Sequence, residues 1–89
     1  MIKTTTTISN KLGLHARASA KLTKLAGSYP CEVWISRGER RVNGKSIMGE
    51  MMLAAGLGTE ITFETQGDRE QEAMAALLAL IRDRFGEGE

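Results

Sequence analysis

The sequence predicts an α+β domain in which an antiparallel sheet carries its helices on one side. Three observations predict it. Four short stretches alternate apolar and polar residues with a period of two, as strands with one buried face do. Three others repeat apolar residues at helical spacing and run into a glycine that can end them. The two kinds interleave in the order β-α-β-β-α-β-α, and 89 residues leave room for a single domain, 1–89, with one modest core.

The elements follow in order. Residues 2–8 alternate Ile2, Thr4, Thr6 and Ile8 against Lys3, Thr5 and Thr7, and their β-branched content makes a strand. Asn10 to Gly13 reads as a loop. After His15, the apolar residues Ala18, Leu22, Leu25 and Ala26 define a helix that Gly27 stops. Cys31, Val33 and Ile35 share one face of the next strand, with Glu32, Trp34 and Ser36 on the other. Gly38 turns the chain into a short strand around Arg40 to Asn43, which completes a hairpin. Ser46 introduces a short helix, Ile47 to Ala55, ended by Gly56. Glu60 to Thr65 alternates again, with Ile61 and Phe63 inward. Asp68 and Gln71 have the spacing of a capping box. Met74, Leu77, Leu78, Ile81 and Phe85 then form the stripe of a final helix. Gly86 closes it, and 87–89 are expected to fray.

Composition excludes several classes. No apolar run approaches the roughly 20 residues of a membrane span. The N-terminal stretch lacks the apolar segment of a secretory signal, so a cytoplasmic location is expected. One cysteine and one histidine argue against an internal disulfide and a zinc site, and neither metal nor other cofactor is expected. Net charge is only +1, yet residues 1–45 hold nine Lys/Arg and two Glu, while residues 46–89 hold three Arg and nine Asp/Glu. A basic face of this kind favours an acidic protein partner or a phosphate. Nucleic acid is not expected, because no strand carries an aromatic stacking pair.

His15, the only histidine, stands directly before the first helix. The backbone N–H groups around Ala16 and Arg17 lack intrahelical acceptors, and the helix dipole adds partial positive charge. A phosphoryl group on His15 would lie in that anion site. Arg17 can add a charge-assisted hydrogen bond. The positive surroundings favour the neutral imidazole, the form that attacks phosphorus, and Nδ1 lies nearer the amides than Nε2. Arg17, Lys21 and Lys24 share one helix face with small Ala20, a docking ridge for an acidic partner. A lone histidine can also be a plain cap, and a basic face a solvated one. The functional reading rests on the three features occurring together.

Ser46 can cap the free amides near Met48 and Gly49. Ile47, Met48, Met51 and Met52 crowd about two turns, and a short helix on a sheet cannot bury every side. Met48 and a neighbour should therefore be exposed, forming an adaptable contact surface.

The segments Gly13-Leu14-His15-Ala16-Arg17 and Asn43-Gly44-Lys45-Ser46-Ile47-Met48-Gly49 resemble the two signatures of HPr, the histidine-containing phosphocarrier family of the bacterial phosphoenolpyruvate:sugar phosphotransferase system. The likeness spans nearly the whole chain. It implies an open-faced β-sandwich of four antiparallel strands and three helices. It implies that His15 is phosphorylated at Nδ1 by phosphorylated enzyme I, with Arg17 beside it. By the same resemblance, Ser46 is the target of HPr kinase/phosphorylase. Ile47, Met48, Met51 and the first-helix ridge would be the surface shared by enzyme I and enzyme IIA proteins, and the chain would act as a monomer. Ala18 replaces the proline many relatives carry, which leaves the helix start less rigid. The tail runs past the point where many relatives end.

Two other functions compete with the carrier. A regulatory binding module, in a nitrogen-related or incomplete phosphotransferase system, would control kinases or transcription. A small hydrolase would use His15 as a base, but residues 1–31 contain no Asp or Glu to orient it.

Overall fold

The computed structural model describes residues 1–88. Strand β1 (Ile2–Thr7) leads through a loop to helix α1 (Ala16–Gly27). The hairpin β2 (Glu32–Arg37) and β3 (Arg40–Asn43) follows, then α2 (Ile47–Met52), β4 (Glu60–Gln66) and α3 (Glu70–Arg82). A 3₁₀ turn over Arg84–Gly86 closes the series. The four strands form one antiparallel sheet in the order β1-β4-β2-β3. The architecture is the open-faced α+β sandwich that the sequence predicts.

The alternation places the core as expected. Val33, Ile35, Ile61 and Phe63 point from the central strands into the interior. There they meet Ala18, Leu22 and Ala26 of α1 and Ala73, Met74, Leu77 and Ile81 of α3. The opposite face of the sheet is polar. On it, the Arg41 guanidinium lies 4.1 Å from the Trp34 ring centroid and 3.3 Å from the Glu64 carboxylate.

Four local expectations need correction. Helix α2 ends at Met52 rather than Ala55, because Ala54 takes a left-handed φ of 52° and the amides of Leu53 and Ala54 reach back only three residues. The Asp68–Gln71 capping box does not form. Arg69, at φ 63°, is the N-cap, and Glu70 turns its carboxylate back to the Gly67 amide. Phe85 is buried, but from the 3₁₀ turn at φ 55° rather than from the stripe of α3. The tail is not frayed at Glu87, whose carboxylate is bonded to Asn10 and His15. Glu89 lies outside the described residues.

Candidate functional site

The site begins with the loop between β1 and α1. Buried Asn10 closes it by donating from Nδ2 to the Gly13 carbonyl at 2.9 Å. Gly13 has a φ of 67°, and the next amide, Leu14, donates to the Ala55 carbonyl at 2.9 Å. These bonds deliver His15 to the N-cap position of α1 in an extended conformation, at φ −74° and ψ 177°.

His15 Nδ1 accepts a hydrogen bond from the Arg17 amide at 3.2 Å. A nitrogen that accepts is unprotonated, so Nδ1 carries the lone pair and Nε2 the proton. Nε2–H in turn donates to Glu87 Oε2. The other oxygen of that carboxylate accepts from Asn10 Nδ2 at 3.0 Å. The Asn10 bond is the main influence holding the Glu87 carboxyl below its ordinary range, with the imidazole adding to it against partial desolvation. Asn10 thus ties the loop and the tail to the same point.

An open groove of about 690 Å³ lies over this ring, lined by Lys11, Leu12, His15, Arg17, Lys21 and Glu87 among others. The histidine side chain is 27% exposed within it. The arrangement offers a partly exposed nucleophilic nitrogen, an amide at the nitrogen, and flanking cations. An acceptor of phosphoryl groups needs these parts, and a deep substrate pocket is not among them.

The remaining expected residues divide. Ala16, Arg17, Ala20, Lys21 and Lys24 are all exposed on α1. Lys21, however, is already engaged: its ammonium donates to the Phe85 carbonyl at 2.6 Å. Ser46 is the N-cap of α2, its Oγ accepting from the Gly49 amide at 3.2 Å. Ile47, Met48, Met51 and Met52 are exposed together, which is a larger apolar patch than the two residues expected. Helices α1 and α2 pack against each other, so ridge and patch lie on adjoining elements. Leu12 and Leu57 add exposed apolar surface that the sequence did not single out.

Asn10 and Glu87 were missed as site residues. Asn10 was legible only as a loop former. Glu87 is 72 residues from His15, and no local pattern marks it. Ser19 is buried and donates to the Leu14 carbonyl, which leaves no activated hydroxyl beside the histidine.

Residues 2–83 match the family model described as the PTS HPr component phosphorylation site. The chain is 66% identical over 89 residues to phosphocarrier protein HPr of Cupriavidus necator, with all of both chains covered. The crystal structure of HPr-C-His from Thermoanaerobacter tengcongensis superposes with a TM-score of 0.94 at 40% identity, covering 98% of each chain. The HPr dimer from the same organism gives 0.79 at 40% identity, covering 98% of this chain and 100% of that one.

Proposed function

The chain belongs to the HPr family of the phosphotransferase system, and from that membership we propose that it carries phosphoryl groups on His15. Phosphorylated enzyme I is the donor, enzyme IIA proteins are the acceptors, and the cytoplasm is the compartment. The observation that carries this reading is the paired state of the imidazole. Its Nδ1 lone pair sits at the helix N-terminus, while Glu87 holds the proton on Nε2.

The Nδ1 lone pair attacks phosphorus. The new N–P bond forms as the donor's bond to phosphorus breaks, and that electron pair leaves with the donor. A phosphoryl oxygen takes over the Arg17 amide from Nδ1, and the guanidinium of Arg17 can reach another. The ring gains positive charge during attack, and the Glu87 carboxylate stabilises it. Delivery to enzyme IIA reverses these changes. The exposed ridge and methionine patch supply docking area that can adapt to more than one partner.

The test is incubation with enzyme I and phosphoenolpyruvate. The expected product is an acid-labile, alkali-stable phosphate with the Nδ1 isomer in its phosphorus spectrum, absent from His15→Ala. Acid-stable phosphate, or label retained by the variant, refutes the reading.

Ser46 supports a regulatory layer. A phosphate there would face the free amides of α2 and stabilise that helix. Inhibition would then come from repulsion of an acidic partner. Ser46→Asp is expected to keep the α2 amide resonances while weakening enzyme I binding several-fold in titration calorimetry. Loss of the helix, or unchanged affinity, contradicts this mechanism.

A further inference from the structure

Glu50 is the only buried residue of α2, and it is fully enclosed. Of the large apolar side chains of that helix, Met48 and Met52 are mostly exposed, and Ile47 and Met51 are about two-fifths exposed. Among the described residues, Glu50 makes a fully enclosed side-chain hydrogen bond from α2 to α1, beside the partial apolar burial of Ile47 and Met51. Its Oε2 bonds the Thr23 hydroxyl of α1 at 2.7 Å. Its Oε1 is buried with no partner among the described residues.

Charged groups on the packed elements do not compensate it. On α1, Arg17 and Lys24 are exposed and Lys21 donates to the Phe85 carbonyl. On β3, Arg40 donates to the Met52 carbonyl and Arg41 pairs with Glu64. Lys45, just before α2, donates to the Tyr29 carbonyl. None of them is bonded to Glu50.

We propose that Glu50 is a proton-dependent positioning residue, which holds α2 on α1 as a neutral acid bonded to Thr23 and loosens α2 when it ionises. As an acid that accepts the Thr23 hydroxyl through Oε2, Glu50 leaves only a neutral hydroxyl at Oε1 unpaired. Ionised, it leaves a charged oxygen in the interior without a donor, which is far more costly. That cost is relieved by admitting water or by moving α2 away from α1. A six-residue helix has little stability of its own to resist. The exposed methionine patch rides on the same helix, so its presentation becomes pH-dependent. Burial pushes the Glu50 carboxyl up to about 8, against a smaller opposing effect of the Thr23 bond. The unfolded chain releases this proton near 4.5, so the folded state loses stability as pH rises from there to about 8.

The consequence for docking rests on the carrier reading, whereas the effect on α2 does not. Amide exchange of Met51, Met52 and Leu53, corrected for intrinsic rates, is measured between pH 6.5 and 9.5. Protection is expected to fall at least tenfold in wild type and to stay level in Glu50→Gln. The side-chain carboxyl shift of Glu50 in the unmodified protein gives a second readout that needs no variant. A midpoint in the ordinary carboxylate range, or protection that does not respond to pH, overturns the proposal. In transfer assays, KM for phosphorylated enzyme I should rise several-fold across the same interval in wild type only, with kcat level. If no transfer occurs at any pH, the carrier reading falls and the exchange data still decide the role of Glu50.

Discussion

Replacing Gly13 with alanine is expected to lower the free energy of unfolding by about 3 kcal/mol, from steric overlap and backbone strain together. A Cβ there would lie 2.3 Å from the Ala55 carbonyl oxygen and 2.7 Å from the Gly56 Cα. Both are backbone atoms, so no flexible side chain can swing aside. The φ of 67° adds strain for any residue with a Cβ. Relief requires the loop to retreat from Ala55, which breaks the Leu14 amide bond to that carbonyl and displaces His15 from its cap. Gly38 is the control. Its φ is 59°, but a Cβ at that position would have nothing within 4 Å, so Gly38→Ala should cost only about 1 kcal/mol of strain. Urea denaturation of the two variants compares them directly. Equal losses would show that the close approach to Ala55 is not what constrains the loop.

The second large effect concerns charge around the imidazole. Arg17→Ala is expected to slow phosphoryl acceptance about tenfold, reflecting one charge-assisted hydrogen bond weakened by solvent exposure. Glu87→Gln is expected to slow it by a similar factor, because the ring's developing positive charge loses its counter-ion. The two act on opposite charges, one on the phosphoryl oxygens and one on Nε2–H. Both bear on the same imidazole, so the double variant is expected to depart from the product of the two factors, and the size of that departure measures their coupling. Rapid-quench measurement of phosphoryl arrival from enzyme I provides the rates. Transfer unchanged in Arg17→Ala would reduce that residue to a docking contact. Transfer unchanged in Glu87→Gln would make the tail a structural strap only. Glu87 must also be ionised to act. Its carboxyl titrates below the ordinary range, so its support is present at neutral pH and is lost on acidification through that lowered value.

Much of this was legible in one dimension. The alternation of Val33 and Ile35, and of Ile61 and Phe63, fixes which face of each strand is buried, because side chains alternate along any extended chain. The cap positions of His15 and Ser46 were equally readable, since a cap bonds to amides two or three residues ahead. Signals that act within a few residues survive without tertiary knowledge. The end of α2 did not, because Ala54 adopts its left-handed conformation where its neighbours Leu53 and Ala55 are buried and both its own carbonyl and that of Leu53 are held by Arg37. The start of α3 did not either, because Glu70 competes for the amide near its own turn.

The sequence by itself determined the order of elements, the apolar face of each strand, and the histidine at a helix start. Those features depend on backbone stereochemistry and on bonds between near neighbours. Only the tertiary structure decided that Glu87 would hold the imidazole proton, that Lys21 would be drawn to the tail, and that Glu50 would be enclosed beneath an exposed methionine patch. Each of these joins groups between 27 and 72 residues apart, or turns on which side of a short helix faces its neighbour. Such pairings are set by how the helices settle on the sheet, and no local pattern in the chain encodes them.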